Sequence, residues 1–353
     1  MGLENGDRRS DPGAWARDLG ISREAVELLA ASDAVELHHE SFIWARLLGY
    51  DLGRRHGRGL LGGRLLGQLD LPRLLESGLA GSVWSIATNP TRPRGRRTGV
   101  LVENLGRLRS FIEAHDEQLA LVRDPEGFRR ARALGRHACW LAVQGGNALG
   151  RVEDLERLPE GLVSRITLVH MTGSHVGGTS NPLGGRRGGL TGFGRDLVRA
   201  MDARSMLVDL AHISEQGFLD ALEVHDRSRP VIVSHTGVRA VHDSWRNLSD
   251  RQVRAVAGTG GVIGIIAHTY ALGPVHRRST TSTMVDHMEH AIRLVGEDHV
   301  ALGCDWDGFI VTPPDMRTVL ELPVLVQRML ERGFGVDRIA KILGGNALRV
   351  LGG

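Results

Sequence analysis

The chain is poor in cysteine, lysine and long apolar runs, and each shortage excludes something. There are only two cysteines, Cys139 and Cys304, so no disulfide framework and no C-x-x-C pair can form. Both lie in strand-like apolar runs, where a cysteine packs as a small hydrophobe. No stretch reaches the ~18 consecutive apolar residues that suggest a bilayer span. The opening residues, MGLENGDRRSDPGAWARDLG, lack the apolar centre of a signal peptide. A cytoplasmic protein with no membrane partner is the expectation.

The basic residues are nearly all arginine, yet the formal net charge is only +3. Runs such as Arg92-Pro-Arg94-Gly-Arg-Arg97 are short and sit among glycine and proline. Nucleic-acid binding needs a clustered basic face, so these runs read as a solvated loop. No G-x-G-x-x-G or Walker-type loop stands between a strand and a helix, and no G-x-S-x-G elbow is present. Dinucleotide, nucleotide and serine-hydrolase chemistries are therefore set aside.

What is present is a large globular chain: 353 residues, 41% hydrophobic and 24% charged, enough to bury a substantial core. Residues 1–20 read as a flexible leader and 21–353 as one domain. Eight short apolar runs follow in order: Ala34–His39, Gly81–Thr88, Cys139–Gln144, Arg165–His170, Ser205–His212, Pro230–Thr236, Gly261–Ala267 and Val300–Asp305. Continuous stretches such as Val231-Ile-Val233 mark strands buried on both faces, as in a parallel sheet. Helical signals separate them. Ser214 and Ser249 stand as N-caps, and Val285, Met288, Ile292 and Val295 recur at helical spacing. Eight strands alternating with helices predict an α/β fold, a (β/α)₈ TIM-like barrel, with Gly173–Gly194 as a long loop over one end.

Polar residues fall at the C-terminal ends of these runs: His38-His39-Glu40, Gln144, His170, His212, His235 and Asp305. In a (β/α)₈ barrel those ends share one rim, where active sites lie. Imidazoles and carboxylates converging there suit a zinc-like ion, which polarises a carbonyl and generates hydroxide from water. A further carboxylate can carry the proton to a leaving amine, which describes hydrolysis of a C–N bond. A lone histidine at a strand end is often merely hydrogen-bonded structure; several on one rim are harder to explain that way. Asp305 and Asp307, in Asp305-Trp-Asp307-Gly, compete for the catalytic role. His39 alternates away from His38 and should point off the site. His287 and His290 lie on a predicted helix and are expected to face solvent. His175 and His268 are left unassigned.

Leu207-Val-Asp-Leu-Ala-His212-Ile-Ser, Pro230-Val-Ile-Val-Ser-His235 and Ala301-Leu-Gly-Cys-Asp305-Trp-Asp-Gly308 resemble signatures of the renal (membrane) dipeptidase family. Arg165-Ile-Thr-Leu-Val-His170, Leu190-Thr-Gly-Phe-Gly194 and Leu343-Gly-Gly-Asn-Ala-Leu-Arg349 do so too, and the similarity runs from about Asp33 to the C-terminus. The resemblance implies an amidohydrolase-type barrel with a binuclear zinc site that cleaves dipeptides. It implies metal ligands at His38, Glu40, Gln144, His212 and His235, substrate contacts at His170 and Arg246, and catalysis at Asp305. Two departures stand out. The first-strand aspartate of the family is here Glu40, and the metal-bridging glutamate of a Glu-Gly-Gly pattern is here Gln144 in Gln144-Gly-Gly146.

A neutral amide is a poor bridge between two dications, so fewer than two tightly bound zinc ions are expected. Peptide-like substrate is the expected partner, with a homodimer allowed and no nucleic acid. The alternative function is a family member with an altered metal site that binds a peptide-like ligand or catalyses a non-hydrolytic step.

Overall fold

The computed structural model describes residues 11–57, 62–159, 161–276 and 278–352. Its parallel strands are β1 Val35–His39, β2 Gly81–Ala87, β3 Leu119–Leu121, β4 His137–Gln144, β5 Val163–Thr167, β6 Leu207–Asp209, β7 Val231–Thr236, β8 Val262–Ile265 and β9 Val300–Leu302. Eight of them close a ring in the order β2-β1-β9-β8-β7-β6-β5-β4, with β2 paired to β4 along its length. The expected barrel is therefore present. The strand not foreseen, β3, flanks the start of β4, with Leu119 opposite His137, before β5 takes over that edge at Leu141. Its Leu-Ala-Leu segment is too short to carry a period of its own.

Successive residues of β4 alternate between two apolar clusters: Cys139, Leu141 and Val143 join one, Ala138, Trp140 and Ala142 the other. Burial on both faces is what made the strands read as continuous apolar runs. Several runs were read too long. β5, β6 and β9 end at Thr167, Asp209 and Leu302, and His170, His212 and Asp305 follow in the turns just beyond.

Helices between strands begin where their caps dictate. Ser214 accepts from the Gly217 amide to open Glu215–Val224, and Ser249 and Gln252 form a reciprocal capping box before Asp250–Ala257. Each cap stabilises its helix by about 1 kcal/mol. The expected helical repeat of Val285, Met288, Ile292 and Val295 lies on Thr281–Val295.

Two expectations are corrected. The leader assigned to 1–20 holds a helix, Pro12–Leu19, capped by Asp11 and ended by Gly20 with φ 65°. Trp15 on it is fully buried and donates to the Leu320 carbonyl at 3.2 Å, so this segment packs on the barrel. Residues 1–10 lie outside the described residues. His287, expected to face solvent, is fully buried: its Nδ1 accepts from the Val238 amide at 2.9 Å and its Nε2 meets the Leu272 carbonyl at 3.0 Å. No described helix is long and apolar enough to cross a membrane.

Candidate active site

The C-terminal rim surrounds a cavity of about 460 Å³. Its polar lining includes Glu40, Gln144, His170, His212, Arg246 and Asp305, and its walls are apolar: Ile43, Leu47, Met171, Trp245, Tyr270 and Phe309. His38 and His235 lie beneath, fully buried, with rings stacked at 3.9 Å between centroids. The fold thus gathers the candidate residues on one rim, although they come from segments spread between β1 and β9.

Left-handed backbone helps to aim them. His212 and Asp305, both non-glycine, have φ of 63° and 65°. Such conformations cost of order 1–3 kcal/mol each and persist only where surrounding packing imposes them. Gly308 is needed beside Asp305, because any Cβ there would run into the Asp305 carboxylate.

The histidine Nε2 atoms of His212 and His235 lie 2.8 Å apart, and the Gln144 amide nitrogen lies 3.3 Å from the latter. His235 is oriented from behind: its Nδ1 meets Ser234 Oγ at 2.8 Å, and that hydroxyl donates to Asp209 Oδ2 at 2.6 Å. On the other side His38 Nε2 lies 3.4 Å from Asp305 Oδ1 and 3.7 Å from Glu40 Oε1. His170 stands edge-on to His212 at 4.8 Å between centroids. Arg246 is buried rather than held in a surface ion pair. Its Nη2 donates to the His235 carbonyl at 2.5 Å and lies 3.3 Å from His212 Nε2.

Burial dominates the electrostatics. It pushes His38, His212 and His235 well below the usual imidazole range, with Arg165 adding to the effect at His38 and Arg246 at His212. These rings are therefore neutral at neutral pH, the form that can offer a lone pair. His170 falls to about 4 for the same reason, helped by Arg246. Burial raises Glu40 to about 7, partly offset by Arg46 and Arg165. Asp305 is raised well above the carboxylate range by burial and by Glu40, against the pull of Arg246.

Asp305 and Asp307 are placed differently. The Asp307 carboxylate accepts from Ser41 Oγ at 2.7 Å, from the Gln68 amide at 2.9 Å and from the Leu69 amide at 3.2 Å. It ties down the segment after β1 and does not line the cavity, whereas Asp305 does. His39 points off the site, as expected, with Nε2 3.2 Å from Ser82 Oγ. His268 lines the cavity, while His175 meets the Leu149 carbonyl instead.

A profile of the membrane dipeptidase family (peptidase family M19) matches residues 22–353. The chain belongs to that family. Dipeptidase tcpJ of Claviceps purpurea is 28% identical over 297 residues, covering 81% of this chain and 69% of its own. Among solved structures, dipeptidase AC, a metallo peptidase, superposes with a TM-score of 0.77 at 25% identity, over 91% of this chain and 98% of that one. A Rhodobacter sphaeroides metallo peptidase, solved with a phosphinate mimic of the dipeptide L-Ala-D-Ala, shares the fold with a TM-score of 0.77 at 24% identity, over 91% and 98%. The chain is a hydrolase of the metal-dependent dipeptidase type.

The donor set at His212 and His235 suits the metal that this family implies. Neutral imidazole is a zinc ligand, and Zn–N bonds of about 2.0–2.1 Å in a tetrahedron separate two nitrogens by roughly 3.3 Å. The two Nε2 atoms face one another at 2.8 Å, a hydrogen-bond distance, so the rings need part only slightly to reach that spacing. His212 Nδ1 is buried without a hydrogen-bond partner, and Arg246 Nη2 lies 3.3 Å from its Nε2.

Three residues that shape this dipeptidase site were not singled out from sequence: Arg165, Asp209 and Ser234. Asp209, fully buried, accepts from the Ala211 and Ser234 amides through Oδ1, and from Ser234, Thr167 and Arg165 through Oδ2. The available signal was a charged residue inside an apolar strand, which is costly unless paired.

Proposed function

We propose that the chain cleaves the amide bond of a dipeptide or similar small peptide-like molecule, using a single zinc ion held by His212 and His235. The observation that carries this reading is the meeting of these two Nε2 atoms beneath a cavity that also presents Asp305 and Arg246. Gln144 can add a carbonyl oxygen. As placed, its carbonyl Oε1 accepts from Thr167 Oγ1 at 2.6 Å and its Nε2 faces His235 at 3.3 Å; turning the amide over presents the carbonyl to the ion and lets Nε2 donate to the Thr167 hydroxyl. When bound, the ion supplies Lewis acidity and lowers the pKa of a water.

The chain's own residues do the rest. Asp305 lines the cavity beside His38 and accepts the proton of the attacking water, then delivers it to the leaving amine. Arg246 offers a planar guanidinium to a free C-terminal carboxylate, a fork that lysine does not reproduce. Neutral His170 can donate an N–H to the substrate carbonyl. The apolar walls take side chains and limit water. The test is a dipeptide hydrolysis screen with and without zinc, comparing free and amidated C-termini. Turnover confined to zinc-loaded protein and free C-termini is expected. Equal turnover of amidated substrates would remove Arg246 from this role, and no turnover of any peptide would sink the reading.

A further inference from the structure

We propose that Arg165 stands where a second cation would otherwise act: it holds His38 with its proton on Nε2, so that His38 offers no lone pair toward the rim carboxylates and the metal site is mononuclear. This rests on the hydrolase reading above and narrows its metal site.

Arg165 leaves the middle of β5, fully buried, and crosses the barrel to β1. Its Nη1 meets Asp209 Oδ2 at 2.6 Å and Thr167 Oγ1 at 2.9 Å. Its Nη2 meets the Leu37 carbonyl at 3.1 Å and His38 Nδ1 at 2.5 Å. A guanidinium has only donors and keeps its proton in proteins. His38 Nδ1 must therefore accept, through its lone pair. A neutral imidazole has one N–H and one lone pair, so the proton of His38 sits on Nε2. That nitrogen points toward Asp305 Oδ1 at 3.4 Å and Glu40 Oε1 at 3.7 Å and is buried with no hydrogen-bond partner of its own.

Metal binding at His38 Nε2 would need the opposite tautomer, with an N–H on Nδ1 pointing at a group that cannot accept it. By distance alone, His38, His235 and Asp305 offer ligand atoms within 4.8 Å of one another. The hydrogen-bond inventory removes His38 from that trio. Applied to His235, the same inventory gives the reverse answer. The Ser234 hydroxyl spends its one proton on Asp209, so it accepts from His235 Nδ1–H and leaves Nε2 with its lone pair.

Charge points the same way. Arg165 already brings a positive charge among Glu40, Asp305 and Asp209. Gln144 supplies no anion to offset a second ion placed beside it. A second dication on the His38 side would meet a fixed guanidinium instead of an open acidic pocket.

The test uses full-length protein purified without chelators and re-equilibrated with zinc. Elemental analysis is expected to find one zinc per chain. His38→Ala should keep it with affinity changed by no more than about threefold, whereas His235→Ala should weaken it by about 100-fold or more. Long-range ¹H–¹⁵N spectra of histidine-labelled protein, with the His38 signals identified by their loss in His38→Ala, should show the Nε2–H form. Zinc should leave it unmoved, and Arg165→Met should shift it toward Nδ1–H. Two zincs per chain would overturn the proposal, as would an Nδ1–H His38 or a loss of zinc in His38→Ala matching that in His235→Ala. If neither variant folds, the zinc count of the unaltered protein decides alone. Two zincs with dipeptide turnover would sink this inference and leave the hydrolase reading standing; no zinc and no turnover would sink both.

Discussion

His38 and His235 stack face to face at the bottom of one cavity, yet the far nitrogen of each ring meets the opposite kind of partner. Behind His235 is a hydroxyl already committed to a carboxylate; behind His38 is a guanidinium. Metal competence in a histidine is set as much by that hidden partner as by the ring, because an acceptor behind the ring frees the front lone pair and a donor consumes it. One buried carboxylate, Asp209, anchors both arrangements: Ser234 donates to it on one side and Arg165 on the other. The two halves of the rim are therefore built on a shared base for different uses.

The largest effect separating them is expected from His235→Ala. Loss of this ligand should reduce dipeptide turnover by about 10³-fold or more, the scale of losing an electrophilic catalyst. Zinc titration with matched kinetics checks it; a variant that keeps both its zinc and most of its turnover would erase the contrast. Next comes Asp209→Asn, which keeps the shape but leaves Arg165 as an unpaired buried cation. A loss of about 3–5 kcal/mol in unfolding free energy is expected from urea denaturation. A loss under about 1 kcal/mol would mean that Arg165 is balanced mainly by Glu40 and Asp305, not through Asp209. Ser234→Ala acts directly on the His235 half and reaches the other only through Asp209. It should lower zinc affinity by about 10–100-fold while His38 keeps its Nε2–H signature. A change at His38 without one in zinc affinity would reverse the assignment.

How far this was legible in the sequence follows from the range over which each signal acts. The barrel was readable because its strands are buried on both faces and leave unbroken apolar runs. The rim was readable because His38, Gln144, His170, His212, His235 and Asp305 each close such a run. What was missed depends on contacts across the molecule. Arg165 and Thr167 share a face by strand alternation, but the meaning of Arg165 lies on the opposite wall, at Leu37 and His38. Asp307 equals Asp305 in local pattern and is distinguished only by Ser41, Gln68 and Leu69, which come from the other end of the chain. The helix Pro12–Leu19 is a different case: Asp11, Pro12 and Gly20 were proper start and stop signals, outweighed by a reading of the terminus as a leader.

The smallest and most discriminating change is Gln144→Glu. Two accounts agree that the site holds fewer than two tight ions, but they differ about the cause. If the missing negative charge at Gln144 is the whole reason, restoring it should admit a second zinc. If Arg165 closes the His38 side, the new carboxylate should strengthen only the ion at His212 and His235. Gln144 adjoins His235 at 3.3 Å and Thr167 at 2.6 Å, so a glutamate there reaches the same ring without disturbing β4. An anionic oxygen replacing an amide should raise affinity by up to about tenfold, roughly the 1.4 kcal/mol that a modestly screened charge supplies in a partly polar interior. The expected outcome is tighter binding at an unchanged stoichiometry of one. A second equivalent appearing in Gln144→Glu, with Arg165 intact, would show that the arginine tolerates a neighbouring ion. The two halves of the rim would then differ only in the charge at Gln144.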